Sequence, residues 1–271
     1  EYPIPIILVS SLDLRVFDAL AVGAVDFVRK PDGINAKERF IESLANKIVI
    51  ASCSRVRKRP VTMVPTTAAP SKLTFSSQFN NEIIIALGAS TGGTEATLDV
   101  LKRLPANTPG MVVVQHMPPG FTKMYADRLD RSCALSVKEA QTGDVIKTGQ
   151  VLIAPGDKQM RVVRTGGNYT VNCQAGEKVS GHCPSVDVLF QSMAENVRCR
   201  MVGIIMTGMG SDGAKGLLSM KEKGAFTIGQ DKESCVVYGM PMVANNIGAV
   251  TVQASCENIA SVLIRKLNQW K

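Results

Sequence analysis

The sequence predicts an α/β fold, a doubly wound and mostly parallel sheet with an inserted β-hairpin, preceded by a partial α/β segment. Two observations predict it. Apolar runs of strand length alternate with stretches of helical period, first briefly and then, after a break, over most of the chain. The break, residues 61–80 (VTMVPTTAAPSKLTFSSQFN), is rich in Thr, Ser, Pro and Ala and follows a basic cluster, so it reads as a linker. The division is therefore 1–57, a linker at 58–80, and 81–271. A chain of 271 residues suits one large domain or two smaller ones, at roughly 150 residues each.

Before the break, Ile4-Pro5-Ile6-Ile7-Leu8-Val9 suits a buried strand, Leu14 to Ala21 a helix and Val25 to Val28 a second strand. Residues 36–52 carry a helical period through Phe40, Leu44 and Ile48. Two strands cannot build a parallel sheet alone, so this piece is expected to be the tail end of an α/β domain. After the break, Ile83–Leu87, Met111–Val114, Val151–Ala154, Val202–Met206 and Ala225–Ile228 predict strands. Thr94–Leu104, Phe121–Leu129, Ser185–Val197 and Gly213–Lys223 predict helices. In the third of these, Val186, Leu189, Phe190, Met193 and Val197 share one face behind a Ser185 cap. Gly166-Gly167-Asn168, between Arg161–Val163 and Tyr169–Val171, signals a hairpin within the parallel pattern.

Composition excludes several classes. With 45% hydrophobic and 20% charged residues, the chain has ample material for a packed core. Aromatics are only 5%, so Val, Ile, Leu, Met and Ala must build it. No run of ~18 apolar residues suggests a membrane span, and Glu1-Tyr2-Pro3 does not open a signal peptide, so a cytoplasmic protein is expected. The seven cysteines (Cys53, Cys133, Cys173, Cys183, Cys199, Cys235, Cys256) are scattered without a C-x-x-C pair, and the only histidines are His116 and His182. Neither a metal site nor a cofactor is expected; the thiols read as free and mostly buried. The net charge of +8 is dispersed apart from Arg55, Arg57, Lys58 and Arg59. It forms no aromatic-interleaved basic face, so nucleic acid is not an expected partner, whereas an acidic protein surface is compatible.

In doubly wound sheets, ligands bind where strands stop. The first run after the break stops at Gly88-Ala89-Ser90-Thr91-Gly92-Gly93, directly before a helix, which matches G-x-S-x-G in its strand–turn–helix setting. The backbone N–H groups after Ser90 would stand at a helix N-terminus, placed for an oxyanion. The plainer reading is a glycine-rich turn with Ser90 as a cap. A dinucleotide loop would need an acidic residue ending the next strand, which ends instead in Gln115-His116-Met117. His116 thus lies at the neighbouring strand end, and Asp212 in Thr207-Gly208-Met209-Gly210-Ser211-Asp212-Gly213 after a further strand. Asp212 reads equally as a helix N-cap. Serine needs a base, and the imidazole needs a carboxylate to fix its tautomer and hold its cation, so the three suit a nucleophilic triad. His182 with Asp144 or Asp157 offers the commoner hydrolase order, but in a loop setting. Cys183 or Cys235 could be the nucleophile, though neither follows a strand in a tight turn.

With these motifs in place, the chain resembles the CheB-type chemotaxis protein-glutamate methylesterase/glutaminase family. The resemblance runs through GASTGG (88–93), VVQHMPPGFT (113–122), VKEAQTGD (137–144), IAPGD (153–157), PSVDVLF (184–190) and TGMGSDGA (207–214). It implies a Ser90–His116–Asp212 triad, oxyanion donors at the Thr91 and Met209 backbone amides, and hydrolysis of glutamyl methyl esters with deamidation of glutamines. The implied partners are the cytoplasmic helices of methyl-accepting chemoreceptors. Residues 1–57 resemble the second half of a receiver domain, with Ser10 as switch hydroxyl and Lys30 as acyl-phosphate contact. A chemotaxis histidine kinase would be the partner there if the receiver is complete, with the phosphoacceptor aspartate expected upstream of Glu1. Gln159 and Met242 depart from the family pattern, which often has His and Arg or Lys. A small-molecule serine esterase and a non-catalytic regulatory domain are the alternative readings.

Overall fold

The computed structural model describes residues 4–11, 15–31, 36–56 and 83–270, so the linker predicted at 58–80 lies outside the described residues. The chain divides into two compact units, Glu1–Ala69 and Pro70–Lys271. In the first, β1 (Ile7–Ser10), α1 (Arg15–Ala21), β2 (Asp26–Arg29) and α2 (Ala36–Ser52) follow the predicted order. Strands β1 and β2 pair in parallel, Ile7 opposite Asp26 and Ser10 opposite Arg29. The run beginning at Ile4 is shortened, because Pro5 has no N–H for a ladder and Ile4 and Ile6 stay exposed. The Lys47 ammonium bonds Asp26 Oδ1 at 2.6 Å and lies over the Phe27 ring.

The second unit contains β3 (Ile83–Ala89), α3 (Gly93–Leu101), β4 (Met111–Gln115), α4 (Phe121–Ser132), β5 (Ser136–Glu139) and β6 (Gln150–Ile153). A hairpin of β7 (Gln159–Thr165) and β8 (Asn168–Gln174) precedes α5 (Val186–Asn196) and β9 (Arg200–Ile205). The chain ends with α6 (Ala214–Glu222), β10 (Phe226–Gln230), α7 (Met240–Asn246), β11 (Val252–Ala254) and α8 (Cys256–Gln269). Seven strands form one sheet in the order β11-β10-β9-β3-β4-β6-β5, and every pairing in it is parallel. From the central β3, the chain first winds to β4, β6 and β5, then returns to β9, β10 and β11 on the other side. This reversal opens a crevice at the carboxyl ends of the middle strands.

Every residue of β3 and β4 is buried, as expected for strands covered on both faces. On one face Ile84, Ala86, Val112, Val114 and Leu152 pack with Leu189, Phe190 and Met193 of α5 and Leu217 and Met220 of α6. The hairpin stands outside the sheet as a two-stranded antiparallel piece against α5, not inserted into the ladder. Helix α5 satisfies its edge: Val162 N donates to Ser192 Oγ at 2.9 Å, and Asn196 Nδ2 donates to Val162 O at 3.0 Å. Strand β5 and the elements β11, α7 and α8 were not among the sequence expectations. In β5 only Val137 is buried, too little for a period to show. Helix α8 is periodic, with Ile259, Leu263 and Leu267 fully buried.

Candidate active site

The sheet order places the three predicted residues on adjacent strand ends: Ser90 after β3 at the centre, His116 after β4 on one side, and Asp212 beyond β9 on the other. Ser90 sits in a turn closed by Gly92, which holds φ 77° at the N-cap of α3. Glycine accepts that conformation, and a Cβ there would also stand 2.6 Å from the Val236 side chain. The turn is fixed from three directions. Ser90 N donates to Thr207 O at 3.0 Å, and Gln115 Nε2 donates to Ser90 O at 2.8 Å and to His116 O at 3.3 Å. Thr207 Oγ1 donates to Thr91 O at 3.0 Å, while Thr207 N donates to Gln230 Oε1 at 2.8 Å. Gly208 lets the β9 loop approach, since a Cβ there would stand 2.7 Å from Ser90 Cβ.

His116 Nε2 lies 2.7 Å from Asp212 Oδ2, with the side chains only 7% and 1% exposed. With Nε2–H donating to the carboxylate, Nδ1 carries the lone pair; it is buried and makes no hydrogen bond. The Ser90–His116 bond of a closed triad is thus not made in this state. In enzymes without substrate such bonds are often long and tighten on binding. One face of the His116 ring is covered by His182, centroids 3.6 Å apart and planes 12° from parallel.

The reading of Asp212 as the cap of its own helix is corrected. Gly213 is the N-cap of α6 and makes no side-chain cap bond. The Asp212 carboxylate reaches instead to α5, accepting from Ser185 Oγ at 2.7 Å, Val186 N at 2.7 Å and Asp187 N at 3.0 Å. Burial pushes this carboxyl up, but the His116 hydrogen bond and charge, with the Ser185 and Asp187 donors, outweigh it. Asp212 is held below the usual carboxylate range. Ser185 is the N-cap of α5 as the sequence predicts, its Oγ accepting from Val188 N.

The Met209 amide makes no hydrogen bond among the described residues, on a loop where Met209 itself is exposed. Thr91 is buried one residue beyond Ser90. The competing candidates fare differently. Asp144 is engaged by Lys138 at 2.8 Å and by Gln141 N, and Asp157 is exposed at φ 58°. Burial raises the Cys183 and Cys235 thiols, keeping both neutral and weak as nucleophiles. Of the two departures, Gln159 is buried and fully hydrogen-bonded, while Met242 is exposed on α7. Sequence reasoning missed His182 as the neighbour of His116 and Gln115 as the brace beneath Ser90. The Gln-His pair ending a buried strand was the available signal for the second. In the first unit, Ser10 and Lys30 meet at neighbouring strand ends, Lys30 N donating to Ser10 O at 2.7 Å.

Among the described residues no three His, Cys, Asp or Glu side chains gather to hold a metal ion, and no helix is long and apolar enough to cross a membrane.

The family model for CheB methylesterase matches residues 85–263. The chain is 52% identical, over 99% of its length and 78% of the relative's, to protein-glutamate methylesterase/protein-glutamine glutaminase 2 of Syntrophomonas wolfei. It is 42% identical to the Salmonella typhi protein-glutamate methylesterase/protein-glutamine glutaminase, over 98% of this chain and 76% of that one. Among solved structures, the Thermotoga maritima CheB methylesterase catalytic domain superposes with a TM-score of 0.66 at 39% identity, covering 68% of this chain and 97% of that domain.

Proposed function

The chain belongs to the CheB methylesterase family, and from that premise we propose how its own residues carry the reaction. The protein is a protein-glutamate methylesterase/protein-glutamine glutaminase, a serine hydrolase that releases methanol from methyl-esterified glutamate side chains. Ser90 Oγ attacks the ester carbonyl carbon while His116 Nδ1 takes its proton. Asp212 on Nε2 fixes the tautomer and holds the imidazolium that forms. The oxyanion accepts hydrogen bonds from the backbone amides of Thr91 and Met209. Collapse of the tetrahedral intermediate breaks the ester C–O bond, and His116 returns its proton to the departing methanol. Water then attacks the acyl-Ser90 carbonyl with His116 again as base, freeing glutamate and the serine. With a glutamine side chain the leaving group is ammonia, and the second half is identical.

The observation that carries this reading is the buried 2.7 Å contact between His116 Nε2 and Asp212 Oδ2, made between loops flanking the Ser90 turn. A merely structural histidine would not need a buried carboxylate beside a serine elbow. We read the substrate as the cytoplasmic helices of chemoreceptors, in adaptation, and the protein as cytoplasmic; the +8 net charge suits an acidic surface. Residues 1–57 read as the C-terminal part of a receiver domain acted on by a chemotaxis histidine kinase, with Ser10 and Lys30 at its switch, and 81–271 as the catalytic domain. The test is methanol release from methylated receptor membranes. Release that His116→Gln abolishes supports the reading; esterase activity on small esters without release from receptor refutes the substrate.

A further inference from the structure

His182 takes no part in the steps above, yet it lies flat on the imidazole that does. It is carried by a tight turn: Val179 N donates to His182 O at 3.0 Å and His182 N donates to Val179 O at 2.9 Å. Between them Ser180 and Gly181 hold φ of 53° and 82°, the geometry of a two-residue hairpin loop with both central residues left-handed. Residues 175–181 are all exposed, so the turn has little packing of its own to hold the ring still. The fixing comes from beneath. Gln159, the first residue of β7, is 5% exposed and uses both ends of its amide. Its Nε2 donates to Glu177 O at 2.9 Å and to His182 O at 3.2 Å, and its Oε1 accepts from Ser185 N at 2.9 Å. Ser185 in turn donates to Asp212. One buried amide therefore ties together the segment that covers His116 and the helix end that holds its acid.

We propose that Gln159 is a positioning residue for the general base, fixing residues 177–185 so that the His182 ring lies against His116. The proposal rests on the reading of His116 as that base. His116 has one ring hydrogen bond, at Nε2, and with the Cβ–Cγ bond this leaves the ring able to turn about the line joining the two, which swings Nδ1. A flat neighbour at van der Waals distance removes that swing and fixes the direction in which Nδ1 presents its lone pair. Small losses of alignment at a reacting group are enough to slow the chemical step.

The experiment compares methanol release from methylated receptor membranes by Gln159→Met, His182→Ala, the double variant and His182→Phe. Gln159→Met keeps the length of the side chain and removes its three hydrogen bonds. Expected is a fall in kcat of about tenfold in Gln159→Met and in His182→Ala, with KM little changed. The double variant should fall no further than the slower single one, because both act through one contact. His182→Phe, retaining a flat ring, should recover most of the loss. Wild-type kcat in Gln159→Met, losses that multiply in the double variant, or a His182→Phe as slow as His182→Ala would overturn the proposal. If Gln159→Met does not fold, the two His182 variants decide alone. His116→Gln, run alongside, separates the premise from the proposal: full activity there removes the general base itself.

Discussion

Asp212 and Asp187 each cap the other's helix. Asp212, just before α6, accepts from the backbone of Val186 and Asp187 in the first turn of α5. Asp187, in that turn, accepts from Gly216 N in the first turn of α6 at 2.8 Å. Helix N-termini favour negative charge, so the exchange locks two adjacent helix ends together over the β9 loop. The two carboxyls part company in their ionisation. Burial raises Asp187, with the neighbouring Asp212 adding to it, whereas Asp212 is held down by His116 and its donors. The carboxyl held down is the one touching the base.

Asp212→Asn should therefore damage both function and stability. An amide at this position can offer only one oxygen, so either Val186 N–H or the Ser185 and Asp187 pair faces a donor. A stability loss of about 1–3 kcal/mol is expected from the orphaned buried group. Turnover should drop at least about 10²-fold, because the amide cannot hold the imidazolium. Calorimetry together with methanol release checks both; an unshifted melting temperature would refute the cross-helix cap.

The pH dependence has opposite signs for the two aspartates. Asp212 has its folded value lowered, so its contribution is full above the unfolded value of about 3.9 and is lost as pH falls through the folded one. Asp187 has its folded value raised, so its ionisation opposes folding as pH rises from about 3.9 through that value. Asp187→Asn keeps an acceptor for Gly216 and removes the repulsion. Urea unfolding from pH 3 to 7 should show Asp187→Asn improving relative to wild type as pH rises. Asp212→Asn should worsen over the lower part of that range.

Gly208→Ala should impair catalysis through crowding. The added Cβ would stand 2.3 Å from Met240 Sδ and 2.7 Å from Ser90 Cβ. Methionine can yield, but the serine turn cannot without moving the nucleophile. A stability loss of about 1–3 kcal/mol and a fall in kcat of at least about tenfold are expected. Retained wild-type kcat would place this approach outside the catalytic geometry.

The serine turn, the histidine and the aspartate loop were legible because each breaks the chain at the end of a continuous apolar run, at Ala89, Gln115 and Ile205. Their adjacency was not, since strand order is set by long-range pairing that leaves no local trace. The α5 partners of Asp212 lie more than twenty residues away, so a local rule could offer only a cap on its own helix beside the triad reading. The His116–His182 stack likewise depends on a turn 66 residues downstream, held by a glutamine that reads as an ordinary strand residue. The final 40 residues carry regular α8 periodicity, but β11 has only three residues and α7 opens on Met240-Pro241.

Cys235→Ala should keep activity within about twofold, since burial holds the thiol neutral and a neutral thiol is a poor nucleophile. Loss of methanol release in a variant that still melts normally would reopen the cysteine as a participant.

The most direct measurement is active-site labelling with a fluorophosphonate, mapped by mass spectrometry and followed by methanol release from methylated receptor. One label per chain is expected, on Ser90, with release declining in step with labelling. No label is expected on Ser90→Ala, which should fold normally because the bonds that fix the turn, Ser90 N to Thr207 O and Gln115 Nε2 to Ser90 O, are made by its backbone. Full methanol release by labelled protein, or by Ser90→Ala, would contradict Ser90 as the nucleophile.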